Sequence, residues 1–358
     1  MQKSATFILG SRGNVPTGGL KIIYEYANRL ARNGWTINVV YPATYCADIL
    51  SWWRRMRMRF HYFRLKIFKL YLPTVWFEFD PRVNMIWVPN LNERYIPDAD
   101  FVIACPVLSA MFVLSYPANK GRKFYFIQGF EDWTLKKEDV EKTWKFPLRK
   151  IVIAKWLQDI ANNLGENVVY IPNGLDFSFF KVTVPFKNRP THSILFISHV
   201  LELKGTRFAI EASKKLKALY PHIIIRTFSA YSKPANFPEF IEFHQNPSQE
   251  SIRKLYNSSS IFLSPSLSEG WPLPPAEAML CGCVVLATDI GGHREYIEDE
   301  INGYLCLPGS ADPIVERIEW ILANKNKAEK VSDNAPDSLR RFDWDSRVKL
   351  FEQALLSG

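Results

Sequence analysis

The chain lacks a disulfide framework. Its five cysteines, Cys46, Cys105, Cys281, Cys283 and Cys306, are an odd number without paired spacing, which points to reduced, packed thiols and a cytosolic setting. Cys281-Gly-Cys283 has no second Cys or His pair nearby, which argues against a structural metal site. Long apolar runs are also missing. Ala5 to Gly10 is too short for the hydrophobic region of a secretory leader and reads as a first strand. Phe101 to Tyr116 is shorter than the ~20 residues that span a bilayer, and Pro106 divides it, so a strand followed by a helix is expected. Acidic residues are absent between Ser51 and Leu72, which holds seven Lys/Arg out of a formal net charge of +9. Basicity this local argues against a broad nucleic-acid-binding face. Gly10-Ser-Arg-Gly13 does not have the Gly-x-Gly-x-x-Gly spacing, which disfavours a dinucleotide-dependent oxidoreductase. No internal repeat or low-complexity tract is present.

What remains is an ordinary folded composition, 47% hydrophobic and 23% charged, in 358 residues, more than one core usually serves. Short β-rich runs alternate with helical patterns, as parallel sheets with crossover helices require. Thr6–Leu9 leads through a loop, Gly10 to Gly19, into a helix over Leu20–Leu30 that Asn33-Gly34 closes, and Thr36–Tyr41 is the next strand. Further strands are expected at 84–88, 101–105, 124–127 and 151–154, and, in a second series, at 193–198, 223–228, 241–243, 261–263 and 284–287. The expected organisation is an N-terminal Rossmann-like domain (1–172) with a basic amphipathic segment (51–72), a linker (173–192), a C-terminal Rossmann-like domain (193–335) and a C-terminal stretch (336–358) ending in an amphipathic helix.

The most informative stretch is Ser268 to Cys283, SEGWPLPPAEAMLCGC, where Glu269 and Glu277 flank a proline-rich connector. Ile261 to Ser264 reads as a buried strand ending at Pro265, and Pro274-Pro275 suits a helix start. Glu269 then overhangs the carboxyl end of a parallel strand, where open α/β sheets bind ligands. Glu277 is expected in the first turn of the helix, where its carboxylate is partnered by the helix dipole or receives two ribose hydroxyls. A phosphate on free N–H groups nearby would complete a nucleotide site.

This stretch resembles the retaining, nucleotide-sugar-dependent glycosyltransferases of GT-B fold in the glycosyl transferases group 1 branch, whose hallmark is two glutamates separated by seven residues. The resemblance extends over nearly the whole chain. It implies two facing Rossmann-like domains with a cleft between them, a last helix (Trp344 to Leu356) crossing back to the first domain, and a donor held by the C-terminal domain. Carried over, Glu269 contacts the donor sugar and Glu277 the ribose, with Gly270, Trp271 and Leu273 beside them. Lys204-Gly205, after a strand and before a helix, matches the stretch that binds the donor diphosphate, and Lys204 and Glu269 are the implied catalytic pair. Gly18 and Gly19, in Pro16-Thr-Gly-Gly19, match the glycine-rich loop of the N-terminal domain.

The chain departs from the family in three places. His199 stands where an arginine is expected, and an imidazole is not permanently charged. Pro272 stands where glycine is frequent and offers no N–H. Gln128 stands where many members have a histidine; an amide holds a sugar hydroxyl but is no general base, and Glu131 is the candidate substitute. Asp98-Ala-Asp100 and Asp343-Trp-Asp345 have the form of metal-binding acid pairs, but each precedes an apolar element, where Asp serves as a cap or strand-edge residue, so no metal is expected.

The expected activity is therefore glycosyl transfer from a nucleotide-diphosphate sugar, with no cofactor and no nucleic acid. The rival reading is a non-catalytic GT-B-like membrane-associated scaffold or partner subunit. Between Ser51 and Leu72, Trp53, Met56, Phe60, Phe63, Ile67 and Leu70 recur at three- and four-residue steps, with Trp52, Arg54, Arg55, Arg57, Arg59, Arg64, Lys66 and Lys69 around them. Such a helix suits either an anionic bilayer interface or packing on the N-terminal domain with a solvated basic rim. The first alternative implies a lipid-linked or cell-surface glycan precursor as acceptor and a peripheral position on the inner face of the membrane.

Overall fold

The computed structural model describes residues 2–10, 16–45, 52–74 and 76–357. In chain order the first elements are β1 Ser4–Ile8, α1 Gly18–Arg32, β2 Thr36–Pro42, α2 Trp52–Ile67, β3 Val83–Val88, β4 Phe101–Ala104, α3 Val107–Ser115, β5 Arg122–Ile127, α4 Lys137–Trp144, β6 Arg149–Val152, α5 Lys155–Asn163 and β7 Val168–Tyr170. The second series is β8 Ser193–Ile197, α6 Thr206–Leu219, β9 Ile224–Ser229, β10 Ile241–Gln245, α7 Gln249–Asn257, β11 Ile261–Ser264, α8 Leu273–Leu280, β12 Val284–Thr288, β13 Tyr304–Cys306, α9 Asp312–Ala323, α10 Lys325–Ser338 and α11 Trp344–Leu356. The chain divides into two compact units, residues 1–173 with 345–358, and residues 174–344.

Each unit is built on one parallel sheet. The first has seven strands in the order β3-β2-β1-β4-β5-β6-β7, the second six in the order β10-β9-β8-β11-β12-β13. Strands β4, β11 and β12 are buried along their whole length, as expected of parallel strands covered on both faces, and this explains their unbroken apolar sequences. In the first unit α1 buries Ile22, Ile23, Tyr24, Tyr26, Ala27 and Leu30 along one stripe; Thr17 caps its first turn, and Gly34 follows at φ 87°. Phe351 of α11 stacks on Tyr26 and Phe7 and meets Phe126 edge-on, which fastens residues 345–358 to that unit. The core of the second unit joins Ile194, Phe196, Phe208, Ile261, Leu263, Val284, Leu286, Ile314 and Ile318.

Two expectations need correcting. Residues 174–192 are not a free linker but part of the second unit. Asn257 Oδ1 accepts from the backbone N–H groups of Thr183 and Val184, and Arg189, only 5% exposed, donates to the carbonyls of Val184, Tyr256, Ser259 and Cys281. Its guanidinium thereby serves carbonyls at the C-terminal ends of α7 and α8, which need partners. The returning C-terminal stretch is also shorter than 336–358, because α10 runs to Ser338 within the second unit.

The basic segment forms α2, whose last described turns present Tyr62 and Leu65 to the body of the unit. The Tyr62 hydroxyl donates to the Trp87 carbonyl, and its ring stacks on Trp87. The periodic stripe of Trp53, Met56, Phe60, Phe63, Ile67 and Leu70 lies instead on the exposed side. The side chains of Trp52, Arg54, Arg55 and Arg59 lie outside the described residues. Among the described residues, no helix is long and apolar enough to cross a membrane.

Candidate functional site

In the second sheet the chain runs outward from β8 through β9 to β10, then returns to place β11 on the other side of β8. The strand order therefore reverses between β8 and β11, and the carboxyl ends of strands at such a reversal are where open α/β sheets bind ligands. Lys204 comes from the loop after β8 and Glu269 from the loop after β11. The Lys204 ammonium donates to both Glu269 carboxylate oxygens, at 2.8 and 2.7 Å, and the Ser266 hydroxyl donates to Oε1 at 2.8 Å. The lysine side chain remains 31% exposed and that of Glu269 11%, so solvent reaches the pair. In a part-buried ion pair of this kind desolvation offsets much of the attraction, so it adds little net stability. The arrangement sets a cation and a carboxylate side by side.

The loop geometry is tightly specified. Gly205 has φ 67°, and a Cβ there would come within 1.9 Å of the Pro265 carbonyl oxygen. Only glycine permits that close approach, which locks the two loops together. Thr206 Oγ1 accepts from the His199 N–H and donates to the His199 carbonyl, while His199 Nδ1 accepts from the Leu201 N–H at 3.0 Å. In the neutral ring the proton is therefore on Nε2. Burial, then the nearby Lys204 charge, lower the His199 pKa against an opposing contribution from Glu269. The position expected to carry a permanent cation thus carries a neutral N–H donor near pH 7.

Sequence reasoning missed His293 and Gly292. His293 is fully buried; its Nδ1 donates to the Thr288 carbonyl at 2.7 Å, which leaves Nε2 to accept from the Ser264 hydroxyl at 2.9 Å. Burial lowers its pKa, and the neutral ring ties the ends of β11 and β12 together. A Cβ on Gly292 would stand 2.5 Å from the Glu269 carbonyl oxygen, so this loop sets the backbone that carries the carboxylate. The available signal was Gly291-Gly292, with three residues between it and the strand expected at 284–287.

Glu277 is the fifth residue of α8, not part of its first turn, because Pro272 is the N-cap and Leu273, Pro274 and Pro275 open the helix. Its carboxylate is buried and accepts from the Tyr256 hydroxyl at 3.4 Å. The Trp271 ring packs on Tyr296 and Phe342 in the core, and Leu273 is buried as well. Of these two residues only the backbone remains for a ligand.

In the first unit the strand order reverses between β1 and β4. Gly18 and Gly19 open α1, and a Cβ on Gly19 would lie 3.3 Å from Gln128 Oε1. That oxygen is buried and accepts no hydrogen bond among the described residues. Glu131 is turned inward: it accepts from the Val107 N–H at the start of α3 at 3.1 Å, and burial pushes its pKa up to about 7. The first of the two acid pairs serves locally. Asp98 binds Lys120 and Asn119, and Asp100 accepts from the Ser4 N–H and hydroxyl. Among the described residues no group of three or more His, Cys, Asp or Glu is gathered as a metal site requires.

Residues 181–338 match the family described as glycosyl transferases group 1. An uncharacterized glycosyltransferase of Methanocaldococcus jannaschii is 30% identical over 223 residues, which span 56% of this chain and 57% of that protein. The D-inositol 3-phosphate glycosyltransferase of Xylanimonas cellulosilytica is 24% identical over 50% of this chain and 49% of its own length. The chain thus matches about half the length of these curated relatives. Among solved structures, sucrose-phosphate synthase of Thermosynechococcus elongatus superposes with a TM-score of 0.74 at 15% identity, covering 98% of both chains. The Anabaena protein HepE, solved in complex with UDP-glucose, gives 0.72 at 16% identity over 99% of this chain and 100% of that one. The fold is GT-B, and the stretch 181–338 is similar to the glycosyl transferases group 1 family.

Proposed function

We propose that the protein transfers a glycosyl unit from a nucleotide-diphosphate sugar to an acceptor, with retention at the anomeric carbon. The observation that carries this reading is the Lys204–Glu269 pair at the β8/β11 reversal, inside the stretch that matches the family. Breaking the anomeric C–O bond leaves negative charge on the diphosphate, and a cation placed in advance lowers that barrier. In this reading Lys204 meets the diphosphate, Glu269 accepts from sugar hydroxyls, and Glu277 accepts from the ribose. His199 adds one neutral N–H, and Gly205, Gly270, Trp271 and Leu273 contribute backbone. The reaction needs no metal.

On the acceptor side we read the first unit, with Gln128 next to Gly18 and Gly19, as holding a lipid-linked or cell-surface glycan precursor. The exposed outer face of α2 supports a peripheral position at the inner face of a membrane, and four buried free thiols are compatible with a reducing compartment. The second reading, a non-catalytic GT-B scaffold, draws on His199, Gln128 and Pro272. Incubation with radiolabelled nucleotide sugars separates the two. Release of nucleoside diphosphate by the wild type but not by Glu269→Ala supports the enzyme; no turnover of any common donor, with or without membrane extract, supports the scaffold.

A further inference from the structure

Donor chemistry does not absorb α2, and the structure turns this helix the opposite way from ordinary helix packing. At about 100° per residue, Trp53, Met56, Phe60, Phe63 and Ile67 fall within an arc of about 80°, with Leu65 and Tyr62 on the opposite side. A surface helix normally buries its apolar stripe against the core. Here the body takes only Tyr62 and Leu65 among the described side chains, while Trp53, Phe60 and Ile67 remain 76%, 73% and 72% exposed. Phe68 and Leu70 continue the exposed apolar surface beyond the helix end. Arg57 and Arg64 flank the stripe on one side and Lys66 on the other, all three exposed, as is Lys69 after the helix. The segment from Ser51 to Leu72 contains no acid.

We propose that α2 is an interfacial helix that seats the first unit on an anionic lipid bilayer. Aromatic and aliphatic side chains flanked by cations, with no acid among them, fit the boundary between acyl chains and negative headgroups. A nucleic-acid duplex would engage the cations through its phosphates but leave the exposed Met56, Ile67 and Leu70 in water. Tyr62 and Leu65 fix the helix to the unit, so the stripe is presented ready-made. This docking does not require the transfer reaction. Failure of vesicle binding leaves the donor site standing, and absence of nucleotide turnover leaves the docking standing.

The test is co-sedimentation of the full chain with phosphatidylcholine vesicles and with phosphatidylcholine–phosphatidylglycerol vesicles. Partitioning onto the anionic vesicles is expected to exceed that onto neutral ones by roughly tenfold or more. It should fall as salt shortens the screening length from ~10 Å at 0.1 M to ~3 Å at 1 M. The charge variant R57S/R64S/K66S/K69S and the apolar variant F60S/I67S should each lose roughly tenfold or more. These side chains are exposed, so both variants should keep the wild-type melting temperature. If either does not, bromine-labelled acyl chains provide the second readout: they should quench tryptophan fluorescence of the wild type, and less so in Trp53→Phe. Equal recovery with both vesicle types, no binding to either, absence of acyl-chain quenching, or a lipid-free dimer that F60S/I67S dissociates would each overturn the proposal.

Discussion

Glu131 gives a prediction whose size follows from the structure. Its carboxylate is buried against the start of α3, with the Val107 N–H as partner, and burial raises its pKa from 4.5 to about 7. The folded protein therefore holds this proton more tightly than the unfolded chain does. The sign follows: the stabilisation is fully present below about pH 4.5 and is lost as pH rises through about 7. At about 1.4 kcal/mol per pH unit, that interval corresponds to about 3 kcal/mol. Glu131→Gln keeps an oxygen for Val107 and removes the titration. Urea denaturation of both proteins at pH 4.5 and pH 8 should show the wild type losing about 3 kcal/mol relative to the variant across that range. Hydrogen exchange along α3 should assign the change to the first unit. Parallel stability profiles for the two proteins would refute the reasoning, because they would mean that Glu131 titrates as an ordinary exposed acid.

Three further outcomes are expected. Lys204→Ala should lower kcat by roughly a hundredfold or more with a modest change in KM, because leaving-group charge grows in the transition state; a change confined to KM would make Lys204 a ground-state contact. Gly292→Ala should abolish donor turnover while leaving a folded protein, since the new methyl must displace the Glu269 backbone 2.5 Å away; full activity would show that this loop does not set the carboxylate. Activity should survive EDTA, and its loss with recovery on adding Mg²⁺ or Mn²⁺ would contradict the metal-free reading.

Much of the framework was legible because parallel strands buried on both faces announce themselves as apolar runs. Phe101–Ala104, Ile261–Ser264 and Val284–Thr288 are clear examples. The strands β7 and β13 were not, because each has three residues at a sheet edge, and such short segments carry no period. Lys204 and Glu269 could be picked out from their place after strands, but their direct pairing could not, since it depends on where two loops 65 residues apart converge. His293 was invisible for a similar reason: a lone histidine declares nothing until the Thr288 carbonyl and the Ser264 hydroxyl fix its two nitrogens. The α2 stripe was legible as a period, whereas which face met the protein was not. A pair of packed side chains, Tyr62 and Leu65, settles that orientation within a segment where nearly every position is apolar or basic.

In the proposed reading the second unit holds a nucleoside diphosphate through the loops after β8 and β11 and the helix α8. Calorimetric titration of the wild type and Glu277→Ala with UDP, GDP and ADP tests it most directly. At least one of these should bind the wild type, and the variant should lose roughly ten- to a hundredfold in affinity, as expected for a hydrogen bond to a charged group worth ~1.5–3 kcal/mol. Absence of binding by all three nucleotides, or equal affinity in a variant that folds like the wild type, would contradict the account.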